Sequence, residues 1–162
     1  MARAVFPGSF NPLTVGHLAV ADAAFHQLQL DEVCMVISRD PLAKRRDAQA
    51  PLDERLDAIR SASESRPWLR ADETDHQLLV DIAQAYDFLI VGADKAVQLS
   101  DPVFYGGSEV ERDVALTRLP PLVVAPRPGG SLPENAIVLD LPEWTGDVSS
   151  TAVRAGRIEW KA

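Results

Sequence analysis

A chain of 162 residues with 46% hydrophobic and 25% charged residues can bury one substantial core, and this composition excludes both a disordered chain and a membrane-embedded one. Its net charge of -8 argues against a surface for the nucleic-acid backbone, which needs clustered Lys and Arg, although a small anionic ligand needs only a local cationic pocket. No apolar run reaches the ~20 residues of a membrane span and no signal-like segment follows Met1, so one cytoplasmic domain over residues 1–162, with no membrane partner, is expected.

Residues 2–6 are an apolar strand candidate that stops at Pro7-Gly8, and Leu18, Ala21, Phe25 and Leu28 then recur at helical spacing. Glu32–Ser38 is a near-continuous apolar run of strand length, the pattern of a parallel strand covered on both faces. Cys34 lies inside it, where a lone cysteine is a packing residue. A helix is expected from about Leu52, with Leu52, Leu56 and Ile59 on one face, Asp53 and Glu54 at its positive end, and Pro67 as its limit. Residues 68–71 read as a short strand, 78–85 as a helix, and 88–91 as a buried strand closing at Gly92. Residues 110–119 read as a helix, Leu122–Ala125 and residues 137–139 as strands, and 149–155 as a short capped helix. The proline- and glycine-rich stretch 127–133 is a loop, because apolar strands on either side of it continue the alternation. Strands alternating with helices predict an α/β fold, a Rossmann-like doubly wound parallel sheet with helices on both faces.

In such sheets ligands settle beyond the C-terminal strand ends, where loops offer backbone N–H groups and helix N-termini favour anions. The segment Gly8-Ser9-Phe10-Asn11-Pro12-Leu13-Thr14-Val15-Gly16-His17 joins the first strand to the first helix there. Gly8 and Gly16 would let a ligand approach the backbone, and His17 could donate from its imidazole to a phosphate oxygen. On spacing alone, His17 is more often an exposed or capping residue. Far along the chain, Ser149-Ser150-Thr151-Ala152-Val153-Arg154 can cap a short helix, offer its first N–H groups to a polyphosphate and fork Arg154 onto phosphate oxygens. The plain alternative is a serine-capped surface helix. Gly92-Ala93-Asp94 follows a buried strand, so Gly92 allows close ligand approach and Asp94 either accepts from a sugar hydroxyl or caps the next helix. Lys44, Arg45 and Arg46 are a three-residue basic run in an acidic chain, solvated by default. Trp68, Trp144 and Tyr105 are candidates for stacking on a ligand, but single aromatics without a motif are more often core or rim packing.

Thr14-Val15-Gly16-His17 resembles the Thr/His-x-Gly-His signature of the nucleotidylyltransferase superfamily, and the preceding Gly-Ser-Phe-Asn-Pro run resembles that of its adenylyltransferase members. Ser149 to Arg154 is similar to the family's Ser-Ser-Thr-x-x-Arg motif, Gly92-Ala93-Asp94 to its Gly-x-Asp step, and Glu54-Arg55-Leu56 to its Glu-Arg-Leu helix start. The resemblance implies an enzyme moving AMP from ATP, with Mg²⁺, onto a small phosphorylated acceptor with release of pyrophosphate. It implies catalytic roles for His17, Thr14, Lys44 and Arg154. Nucleotide contacts are implied for Gly8, Ser9, Phe10, Gly16, Gly92, Asp94, Ser149, Ser150 and Thr151, with no protein-built metal cage. The threonine and arginine of the C-terminal motif favour nicotinate or nicotinamide mononucleotide as acceptor, hence NAD biosynthesis. The run from Phe6 to Thr14 and the chain length favour phosphopantetheine, the acceptor in coenzyme A biosynthesis, and a non-catalytic nucleotide sensor is a third reading. Related enzymes commonly self-associate, which leaves a homo-oligomer open.

Overall fold

A strand that is apolar at every position is stable only when both of its faces are covered. The computed structural model, which describes residues 1–40, 49–130 and 132–162, meets this requirement with a parallel sheet. Among the described residues the sheet has six strands: β1 (Arg3–Pro7), β2 (Glu32–Ser38), β3 (Leu69–Thr74), β4 (Phe88–Gly92), β5 (Leu122–Ala125) and β6 (Ile137–Val138), in the order β3-β2-β1-β4-β5-β6. Every pairing is parallel, with Val5 of β1 beside Cys34 of β2 on one side and Leu89 of β4 on the other.

The twofold alternation of a strand divides these residues between two cores. Ala4, Phe6, Val33, Met35, Ile37, Ile90 and Val123 face one side, where α1 (Val15–Gln27) and α2 (Leu52–Ser63) supply Val20, Ala21, Ala24, Leu56 and Ile59. Val5, Cys34, Val36, Leu89, Val91 and Val124 face the other, against α3 (Leu79–Ile82) and α4 (Ala93–Leu99), with α5 (Glu109–Leu116) placing Leu116 at its margin. The doubly wound arrangement expected from the alternation is thus present. Cys34 is buried, as expected, and burial pushes its thiol pKa up. Trp68 stacks on Phe25 at 4.3 Å between ring centroids, a packing role.

Three elements differ from the expectation. The strand expected over residues 68–71 begins at Leu69 and continues to Thr74, because a sheet-edge strand pairs through its backbone and tolerates the polar Asp72, Glu73 and Thr74 that hide it from a hydrophobic count. The helix expected over residues 78–85 is α for only four residues and tightens to a 3₁₀ turn at Ala83–Ala85. Finally, α4 was not expected as an element, yet Ala93, Ala96 and Leu99 recur at three-residue spacing and are buried on its inner face. The stretch 127–133 is a loop among its described residues.

The chain runs outward from β1 to β3 and then returns to place β4 on the opposite side of β1. Loops leaving β1 and β4 therefore diverge, and a crevice opens between the C-terminal ends of these strands. Ile90, fully buried on the central strand β4, anchors that frame. Replacing Ile90 with Ala should cost about 2–5 kcal/mol, read as a lower urea midpoint with an unchanged slope.

Candidate active site

The crevice is a cleft of about 660 Å³, within the size range of small-molecule sites. Its walls bring together most of the residues singled out from the sequence: Gly8, Ser9, Phe10, Thr14, Gly16 and His17 from the β1–α1 connection, Gly92 and Asp94 from the end of β4, and Ser150, Thr151 and Arg154 from α6 (Ser150–Arg154). Ser149 stands one step behind this wall as the cap of α6. Lys44, with Arg45 and Arg46, lies outside the described residues.

Thr14 is the N-cap of α1: its Oγ1 accepts from the His17 backbone N–H at 3.2 Å, while the Thr14 N–H donates to His17 Nδ1 at 3.0 Å. This is a capping box in which histidine occupies the place usually held by Glu or Gln. Because Nδ1 accepts a hydrogen bond from a backbone N–H, the neutral ring must carry its proton on Nε2. Phe10 and Phe6 hold the ring edge-on, with centroids 5.0 and 6.3 Å away. Phe10 itself is only 2% exposed and adopts φ 45°, so it supports the histidine from beneath rather than presenting an open face. The sequence alone left His17 between a capping role and a ligand role. The ring takes the first of these roles through Nδ1.

The glycines divide in role. A Cβ at Gly8 would stand 2.9 Å from the Phe10 ring, and one at Gly16 would meet the Val148 side chain at 3.1 Å. Both are therefore required first by the protein's own packing. At Gly92 a Cβ would meet nothing within 4 Å, which leaves that strand end open to the cleft. Asp94 does not cap α4, whose N-cap is Gly92 without a side-chain bond. It is exposed on the cleft wall.

Ser149 Oγ caps α6 by accepting from the Ala152 N–H at 3.0 Å. Ser150 Oγ donates to the Pro12 carbonyl at 2.7 Å, and Arg154 donates to the Asn11 carbonyl and, at 3.2 Å, to Thr151 Oγ1. With Gly16 against Val148, these bonds fasten the C-terminal motif directly onto the N-terminal turn. Arg127, which the sequence gave no reason to single out, also lines the cleft and donates to the Val148 carbonyl at 3.2 Å.

A second, smaller pocket of about 70 Å³ adjoins the cleft, lined chiefly by apolar side chains including Leu78, Ile82, Leu99, Phe104 and Tyr105. Tyr105 is buried and donates to the Leu99 carbonyl at 3.0 Å. Two cations reach this pocket. Arg55 is 8% exposed and bonds the carbonyls of Ala50 at 2.8 Å and Ser9 at 3.0 Å, tying α2 to the β1 loop. Lys95, half-buried, borders both the pocket and the cleft, and burial lowers its pKa from the ordinary lysine range. Sequence reasoning stopped at Asp94 and missed Lys95; its position directly after Gly92-Ala93-Asp94, in a chain with only three lysines, was the available signal.

Among the described residues no cluster of three or more His, Cys, Asp or Glu could hold a metal ion, and no helix is long and apolar enough to cross a membrane.

The family model for cytidylyltransferase-like proteins matches residues 5–156, nearly the whole chain and both motif-bearing ends. The chain is 34% identical over 169 residues to a protein of Bacteroides fragilis named "Probable nicotinate-nucleotide adenylyltransferase", covering 93% of this chain and 79% of that protein. A protein of the same name from Bacteroides thetaiotaomicron is 29% identical, with 97% and 82% covered. A phosphopantetheine adenylyltransferase of Frankia alni is also 29% identical, with 92% and 90% covered. This chain belongs to the cytidylyltransferase-like family.

The cap that orients His17 can be tested apart from any chemistry. Thr14→Val keeps the shape of the buried side chain but removes the Oγ1 that accepts from the His17 N–H. It should cost about 1 kcal/mol of stability in chemical denaturation, whereas Thr14→Ser, which keeps the acceptor, should recover most of that loss.

Proposed function

We propose that this chain is an adenylyltransferase that moves AMP from ATP onto the phosphate of a small acceptor, with nicotinate or nicotinamide mononucleotide the leading acceptor and pyrophosphate the leaving product. The observation that carries this reading is the Thr14–His17 capping box. It presents an imidazole with its proton on Nε2 at a helix start, in the cleft that α6 also lines.

In this reaction an oxygen of the acceptor phosphate forms a bond to the α-phosphorus of ATP as the bond from that phosphorus to the bridging oxygen breaks, and pyrophosphate carries away the electron pair. No covalent enzyme intermediate is needed. Charge rises on the α-phosphoryl oxygens and on the bridging oxygen, so donors fixed at these atoms lower the barrier more than they strengthen ground-state binding. His17 Nε2–H is such a donor, and Thr14 serves it by fixing the tautomer. Arg154 and Thr151 lie along the same wall to meet the polyphosphate, and Lys44 is assigned to it by the family resemblance. Gly92 leaves room for the nucleoside, with Asp94 beside it as acceptor for a sugar hydroxyl. Ser9, Gly8 and Phe10 shape the floor; Gly16 and Ser150 lock the two motifs together, and Ser149 caps α6.

Asp94 is the one carboxylate among the described residues of the cleft wall. Such a donor set suits a Mg²⁺ ion carried mainly by phosphate oxygens, where it would neutralise polyphosphate charge.

The nicotinate reading draws support from the relatives named for that acceptor. Phosphopantetheine is the second reading, favoured by the Frankia alni relative, of whose length the match covers 90%. Pyrophosphate release from Mg-ATP, with nicotinate mononucleotide, nicotinamide mononucleotide and phosphopantetheine offered separately, decides between them. Turnover is expected with a mononucleotide. Turnover with phosphopantetheine alone would transfer the assignment to the second reading, and ATP binding without turnover on any acceptor would leave a sensor. With the reactive acceptor, His17→Ala should lower kcat about 10²–10³-fold while its thermal unfolding stays close to that of the parent; near-full activity would remove His17 from the mechanism.

A further inference from the structure

The acceptor must bring a phosphate against the triphosphate of ATP, and two anions do not approach in a half-enclosed site without a cation between them. The cations of the site differ sharply in what occupies them. Arg154 donates to Asn11 and Thr151, Arg127 to Val148, and Arg55 to Ala50 and Ser9; the His17 ring is engaged by Thr14. Lys95 alone among the described cations lining the cleft or the small pocket makes no hydrogen bond or ion pair with the protein. It is nevertheless half-buried, so its ammonium has given up part of its water with no protein group in return.

Its location gives the missing counter-charge an identity. Pro7, Gly8, Ser9, Lys95 and Gln98 line both cavities and so stand at the junction where the two adjoin, and Lys95 is the charged residue among these five. His17, Thr14, Thr151 and Arg154 line the cleft but not the small pocket. A molecule seated in the apolar pocket with its phosphate turned toward a nucleotide held by those residues would carry that phosphate beside Lys95.

Resting on the adenylyl-transfer reading above, we propose that Lys95 is a catalytic residue that binds the attacking phosphate of the acceptor. Its ammonium offsets the repulsion between acceptor and nucleotide while the acceptor oxygen bonds to the α-phosphorus and pyrophosphate departs. Lys95 moves no proton in this step. A flexible lysine suits the task, because a point charge with three donors can follow an oxygen as it changes partner. The junction thereby selects acceptors that end in a phosphate over the corresponding nucleoside or alcohol.

The test compares the parent protein with Lys95→Met and Lys95→Arg. Calorimetry measures binding of nicotinate mononucleotide and of nicotinate riboside, which lacks the phosphate, and kinetics give KM for the mononucleotide and for ATP. Lys95→Met should raise the acceptor KM about 10- to 100-fold, leave the KM for ATP nearly unchanged, and bring mononucleotide and riboside affinities close together. Lys95→Arg should restore much of the preference for the phosphate. Because the substitution removes a half-desolvated charge, Lys95→Met should unfold at or above the parent's midpoint, which separates these losses from misfolding. An unchanged acceptor KM and an unchanged mononucleotide-to-riboside ratio would overturn the assignment, as would a rise confined to the KM for ATP. If the parent turns over only phosphopantetheine, the same comparison is made with phosphopantetheine and pantetheine, with the same expected ratio. Absence of turnover by the parent with any acceptor would instead overturn the adenylyl-transfer reading, and the role of Lys95 with it.

Discussion

The fastening of α6 onto the β1–α1 turn is the contact on which the site depends. Ser150 donates to the carbonyl of Pro12, 138 positions earlier in the chain, Arg154 donates to that of Asn11, and Val148 fits against Gly16. None of these bonds is large by itself, since a single hydrogen bond nets only about 1 kcal/mol. Their value lies in geometry. They fix the distance between a histidine at the start of one helix and an arginine at the end of another, and a reaction that stabilises charge at defined atoms needs that distance held. The antiparallel bridge between Thr14 and Lys161, and the bond from the Ala162 N–H to the Leu13 carbonyl at 3.0 Å, hold the same turn from a further side.

Fastening the turn this way constrains its chemistry. Arg154 and Arg127 spend donors on backbone carbonyls, and His17 spends one ring nitrogen on its own helix cap. Such groups are oriented before any ligand arrives, which reduces the reorganisation needed when charge develops. Lys95 follows the opposite pattern, with no protein partner among the described residues at the junction of two cavities. A site made of oriented donors for one anion and a cation without a protein partner for another suits a reaction that joins two phosphates. It also reconciles the net charge of -8 with anionic ligands, because the few basic groups that matter converge on one crevice while the acidic excess is spread elsewhere.

Much of the architecture was legible because it is written in short-range patterns. Every second residue of Val33, Cys34, Met35, Val36 and Ile37 goes to the same core, and Ser149 caps α6 where a serine before a helix should. Signals failed where local pattern and tertiary context disagreed. The edge strand β3 carries polar residues because it needs no second covered face along its length, and α4 is short enough that three buried positions do not make a periodic run. At the site, Gly8 and Gly16 were legible as places where a ligand could approach the backbone. That a side chain there would meet Phe10 and Val148 was not.

By itself, then, the sequence determined the alternation of strands and helices and the caps, because each depends on neighbours within a few positions and on the periods of strand and helix, while the motifs that carry the family resemblance named several of the residues on the cleft wall. The tertiary structure decided which of those residues meet. Strand order sets β4 beside β1 and so opens the crevice; the backbone of Thr14 selects the histidine tautomer; and the junction of two cavities makes Lys95 a shared wall. These are long-range relations created when the sheet is assembled, and no local pattern in the chain encodes them.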